Sequence, residues 1–310
     1  MPIYRRQRVT AAKIEATAGT AESLSASDAA MNIYNAVILS PIERVQLENQ
    51  GGMGMKASRG ISRKGIATFR TYAEWDGTST EPMWADTFFP ACGYVKSGGT
   101  YTPRTAFAGS DVKTLTIGVY NGGKRRIIYG AMGNWVATLV TPELVYFDWT
   151  FEGIFAGEDT TAMLEPTYPT PKSLKGIGLA EWNDIDFCPK TITINANNEL
   201  YLLECPNSPY GYKHTIISNR RPAVTADPES VQIATQDRWA HMLDDTEYAL
   251  EIDINGPGNS TISFDAPKAQ LINLGEGERQ GIVTDDTEWQ CNINGSTQDQ
   301  ELSIVFTAAT

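Results

Sequence analysis

The sequence predicts an all-β chain of two tandem sandwich or barrel units, each with one short helix, plus an extended N-terminal arm and a long loop. Three observations predict it. Apolar residues alternate with polar ones in short runs, the signature of half-buried strands. An ungapped internal match recurs at a spacing of 135 residues. The length of 310 residues, with 41% hydrophobic residues, seven Trp, thirteen Tyr and ten Phe, suffices for more than one core of about 150 residues.

The first thirty residues are rich in Ala, Ser and Thr with weak periodicity, so they are expected to form an arm rather than core. Residues 36–47 and 65–75 read as strands flanking Gly51-Gly52-Met53-Gly54-Met55, with Lys56, Arg59, Arg63 and Lys64 close by. Pro82 suits a first helical turn, and Trp84 and Phe88 stand four apart on one face. Leu115, Ile117 and Val119 alternate before Asn121-Gly122, a hairpin turn signal. The second half repeats these features with Leu250, Ile252 and Ile254 before Asn255-Gly256. Ile127/Ile262, Tyr129/Phe264, Ala131/Ala266 and Leu139/Leu274 continue the match. A second helix is expected over 236–243, with Trp239 and Leu243 four apart like the first pair. Further strands are read at 145–155, 289–293 and 302–306, with either of the last two able to match the first. Residues 163–175 hold three prolines and read as a semi-rigid linker, placing the units at 1–162, arm included, and 176–310.

Composition excludes several classes. A disordered chain lacks this apolar content, and no run approaches the 18 apolar residues of a membrane helix. Net charge is −12, unevenly spread. Residues 1–65 carry nine Lys/Arg against five Asp/Glu, whereas residues 167–310 carry nine against twenty-one. An acidic half opposes tight phosphate binding, which needs clustered cations. Polar sequence after Arg5-Arg6 lacks a signal peptide's apolar stretch, so a reducing cytoplasm is expected.

Little catalytic chemistry is signalled. Cys92, Cys188, Cys205 and Cys291 form no CxxC pair, and only His214 and His241 could join them, so no zinc spacing arises. Free buried thiols are expected, with Cys188–Cys205 as the one alternative pair. No GxSxG elbow occurs, and the Gly51–Met55 run lacks the Lys and Ser/Thr of a phosphate loop. His241 reads as structural on its helix, and His214 as a surface residue after Tyr210-Gly-Tyr212-Lys213. The acidic tetrad at 244–247 recurs at 285–288, at non-equivalent places in the repeat, and is expected in solvated loops. No catalytic, cofactor-binding or metal-ligating residue is assigned, no cofactor is implied, and the chain is not expected to be an enzyme.

In several stretches the sequence resembles the major tail tube proteins of long, non-contractile-tailed bacteriophages. Residues 13–20, 27–33 and 42–44 resemble that family's arm and first strands, and 82–94 its helix with an Ala-Cys-Gly-aromatic stop. Residues 115–120, 130–134 and 151–155 resemble its central hairpin and closing strand. In the second half 217–227, Gly258-Asn259, 266–270 and 301–306 fit the same type. The resemblance implies a structural virion protein that polymerises into stacked rings, with DNA passing through the lumen unbound. It implies tape measure, tail terminator and distal tail proteins as partners, no membrane, and a virion tail assembled in the host cytoplasm. Many such proteins hold one tube domain; two per chain implies trimeric rings of pseudo-sixfold symmetry, with a true hexamer as the alternative. The arm and the 48–65 loop would order against the next ring, and an acidic lumen would repel DNA. A tail fibre, a secretion-system tube and a carbohydrate-binding sandwich are the other readings weighed.

Overall fold

Period-two burial shapes almost every element of the computed structural model, which describes residues 7–105, 109–170 and 174–309. The first strands are β1 (Arg8–Ile14), β2 (Tyr34–Leu39), β3 (Arg44–Val45), β4 (Arg59–Gly60) and β5 (Lys64–Tyr72). Helix α1 (Met83–Ala91) precedes β6 (Tyr94–Ser97), β7 (Thr100–Pro103), β8 (Leu115–Asn121), β9 (Lys124–Val140) and β10 (Tyr146–Thr160). The chain continues through β11 (Leu179–Trp182), β12 (Ile185–Asp186), β13 (Pro189–Asn195), β14 (Asn198–Glu204), β15 (Tyr212–Arg220) and β16 (Ala223–Pro228). Helix α2 (Arg238–Leu243) then leads to β17 (Glu247–Asn255), β18 (Thr261–Arg279), β19 (Ile282–Cys291) and β20 (Ser303–Thr307).

The fold is mostly β, and its pairings are antiparallel. Sixteen strands belong to one connected sheet. Within it the order β1-β8-β9-β10-β5-β2 recurs as β11-β17-β18-β19-β16-β13. The registers recur too. Ala12 faces Ile117 and Ile14 faces Leu115, while Ala180 faces Ile252 and Trp182 faces Leu250. Leu115 faces Ala131 as Leu250 faces Ala266. The two runs join where β13 pairs with residues 136–140 of β9. A single apolar cluster spans both, from Phe69, Phe88 and Trp149 to Trp182, Phe264 and Trp289. The counterpart of β10 is β19, which follows β18 in the same meander; β20 lies beside β18 and β7 instead.

Several expectations need correction. The segment from 8 to 31 is not a free arm. Strand β1 lies along β8, and Ala11, Ala12, Ala29 and Met31 are buried. The first hairpin turns tightly through Gly122 and Gly123, both at positive φ, as a two-residue turn requires. The second does not: Asn255 pairs with Thr261 across a longer loop containing a 3-10 turn, Pro257–Asn259. The linker carries no strand, yet Met163 and Leu164 pack on Tyr120, and Leu174 is buried; residues 171–173 lie outside the described residues.

Helix α1 buries the expected aromatic face. Trp84, Phe88 and Phe89 sit among Phe69, Phe147 and Trp149, with ring centroids 4.9 Å apart for Trp84–Phe147 and 5.1 Å for Phe88–Trp149. Trp84 Nε1 donates to the Glu74 carbonyl at 3.0 Å, satisfying the buried indole. Helix α2 turns the other way. Trp239 and Leu243 are 58% and 74% exposed, while Arg238 points inward and pairs with Asp285. His241 packs edge-on against Trp182 and Tyr248.

Candidate assembly surfaces

The outer face of the second run carries a row of carboxylates. Register places Asp186 opposite Glu181, Glu181 opposite Glu251, and Glu251 opposite Asp265, across four adjacent strands. Asp253 stands two residues from Glu251, on the same face. The inward residues Leu250, Ile252, Ile254 and Phe264 enter the core, so the carboxylates face outward by strand alternation. None of the five has an ion-pair partner among the described residues. Like charges directly opposite destabilise a sheet. Burial, reinforced by Glu251 and Asp253, pushes the Asp265 carboxyl up to about 6. Burial raises Glu251 as well, with Asp253 and Glu181 adding to it. One oxygen each of Asp253 and Asp265 is buried with no donor.

The same positions of the first run are built differently. Counting back 135 residues from Glu251, Asp253 and Asp265 gives Thr116, Gly118 and Gly130. This face is covered by the chain's own residues 15–24. The buried Glu15 carboxylate accepts from Thr114 Oγ1 at 2.5 Å, Thr116 Oγ1 at 2.8 Å, the Gly130 N–H at 2.7 Å and the Gly19 N–H at 2.8 Å. A Cβ on Gly118 would meet Leu24 at 2.6 Å, and Gly130, at φ +60°, lies against His214 and Gly19. One copy of the face is therefore closed by neutral donors around one carboxylate, and the other is acidic and half-buried, with no ion-pair partner among the described residues.

A second surface is the excursion between β2 and β5. The short β3–β4 pair carries the glycine run at its end, where Met53 is fully exposed and Met55 71% exposed. Leu47 and Ile61 are exposed as well, and Arg44, Lys56 and Arg59 have no carboxylate partner among the described residues. The structure thus places the Gly51–Met55 loop on a projecting apolar and basic hairpin.

The remaining sequence candidates fall apart as sites. His214 is buried, not on the surface; its Nδ1 lies 3.0 Å from the Thr215 carbonyl oxygen. The tetrad at 244–247 sits in the turn after α2, but 285–288 lies inside β19, where Asp285 pairs with Arg238. All four cysteines are free: Cys92 and Cys291 are buried, Cys188 is exposed and Cys205 half-buried. Burial pushes the Cys291 thiol up to about 12. Among the described residues no three His, Cys, Asp or Glu side chains group to hold a metal ion. A cleft of about 530 Å³ opens between Tyr94, Arg104 and Arg220, and its two arginines are paired within it, Arg104 with Asp111 at 2.9 Å and Arg220 with Glu301 at 2.7 Å. The carboxylate row and the covering role of Glu15 escaped sequence reading; the 135-residue spacing was the signal that aligns them. No protein-family model and no curated protein matches the chain.

Proposed function

We propose that the chain is a structural subunit that polymerises into stacked rings, forming a phage tail tube through which DNA passes. The observation that carries this reading is the six-strand order occurring twice in one connected sheet. The reading takes each run as one tube domain, so that three chains would supply six units to a pseudo-sixfold ring. Further support comes from the aromatic residues. Six of the seven tryptophans are buried, which suits a packed assembly unit better than an exposed sugar-stacking platform. The carboxylate row on β11, β12, β17 and β18 is a surface that polyanionic DNA would slide past, since it offers no cations to exchange for counterions. On this reading the partners are other copies of the chain and the proteins that start, measure and end the tail, and the site of residence is the virion.

Negative-stain electron microscopy across a concentration series tests it. Rings or tubes with six lobes under three-fold averaging are expected. Monodisperse monomers at every concentration, including after addition of a tail-initiating extract, contradict it.

A further inference from the structure

Strands β2 and β5 run antiparallel, with Tyr34 opposite Arg70 at one end and Leu39 opposite Ile66 at the other. The β3–β4 hairpin leaves from the Leu39 end. At the opposite end, residues before β2 and after β5 surround a groove of about 270 Å³. The nine residues of β5 separate the two features, about 30 Å of extended chain. The buried Met31, Trp75 and Trp84 form the floor of the groove, and the exposed Met83 lies at its rim. Both indole N–H groups are already used, Trp75 on the Thr80 carbonyl and Trp84 on the Glu74 carbonyl, each at 3.0 Å. The rings therefore offer the groove apolar surface alone. Glu74 and Asp76 line it as well, and Glu74 has no cation partner among the described residues. Small-molecule pockets span about 300–1,000 Å³, so this smaller groove suits a single side chain.

The hairpin offers the complement. Met53 at its tip is fully exposed, and an unbranched thioether fills irregular apolar gaps and packs favourably on aromatic rings. Residues 42–63 carry Arg44, Lys56, Arg59 and Arg63 against Glu43 and Glu48, so a cationic plug meets an anionic socket. In the second run both features are used within the chain. The β14–β15 hairpin stands between β13 and β16 as β3–β4 stands between β2 and β5, and it packs Leu202 and Tyr212 on Tyr129 and Ile154. The segment from β16 to α2 turns Gln236 and Arg238 inward. Among the described residues, the first run leaves its hairpin and its groove open.

We propose that Met53 of one copy inserts into the Trp75–Trp84 groove of a second copy in the next ring, with the hairpin's cations beside Glu74 and Asp76. Plug and socket are different patches at opposite ends of one strand pair. The contact is therefore heterologous and extends by translation along the strands, without closing on itself. It rests on the stacked-ring reading and names the contact that stacks the rings.

Full-length Met53→Cys and Met83→Cys chains, with Cys188 and Cys205 replaced by Ser, are mixed under a mild oxidant. A disulfide-linked heterodimer is expected, and none from either chain alone. In sedimentation, Met53→Glu and Met83→Glu each weaken ring-to-ring association by at least about 100-fold, because an unpaired charge enters an apolar groove with an acidic lining. Single rings keep their mass. Both residues are exposed, so thermal melts stay as in the wild type. Stacks that persist with both substitutions, or that form without the 53–83 link, overturn the docking and leave the tube standing. The link in filaments without rings supports the docking and overturns the ring. Wild-type chains that stay monomeric overturn both.

Discussion

Glu15 is the residue on which the N-terminal segment hangs. Its buried carboxylate has four donors and, among the described residues, no cation. Hydrogen bonds to a charged group contribute about 1.5–3 kcal/mol each, and donors left unpaired cost more than the bond is worth. Glu15→Ala is expected to lower stability by about 2–4 kcal/mol in urea unfolding; an unchanged midpoint would refute the anchoring role. Asp265 works in the opposite sense. Its folded pKa of about 6 lies above the ordinary carboxyl value, so ionisation is disfavoured in the folded state. The stability this group contributes is greatest where it is protonated and falls as pH rises from about 4 through about 6. Asp265→Asn is expected to stabilise the chain by about 1–2 kcal/mol at pH 7.5 and by little at pH 4, allowing for partial solvent screening. Neither role was legible in the sequence. Thr114, Thr116 and Gly130 lie about a hundred residues from Glu15, and only the folded register brings Glu181, Glu251 and Asp265 into line.

At the scale of elements, the two helices show how one spacing can have two outcomes. Pro82 and the Trp84–Phe88 pair located α1 correctly, because that face is buried over β5 and β10. The same spacing at Trp239 and Leu243 misleads, because the Arg238–Asp285 pair and His241 take the inward side of α2. Phe88→Ala should cost about 3–5 kcal/mol, the range for a large buried aromatic. Trp239→Ala should stay within about 0.5 kcal/mol, as exposed substitutions do. Equal losses in thermal unfolding would refute this division. The second turn held its own signal: Pro257 follows Asn255-Gly256, and proline lacks the N–H that the residue after a two-residue turn donates back across it. The N-terminal segment was misjudged because small residues give weak periodicity, yet Ala11 and Ala12 fit where strands pack closely.

For the whole molecule, the match of 115–139 to 250–274 signalled the strand order that recurs in the sheet, but the bulges in β9 and β18 shift the pairings away from an ungapped offset. The wider extent of the recurrence was not legible. The equivalence of β1 with β11 and of β2 with β13 rests on pairing rather than on sequence likeness. On the proposed tube reading, the acidic face gives the assembly its expected behaviour toward DNA. Tubes built from Glu251→Lys/Asp253→Lys chains should retain duplex DNA at low salt and release it as salt rises, while wild-type tubes retain none. Retention by the wild type would place the carboxylates away from the lumen. The central claim, two ring units in each chain, is tested most directly by native mass spectrometry of isolated rings. The account predicts a mass of three times 33.9 kDa per ring. Six chains per ring, or a chain that never leaves the monomer, would contradict it.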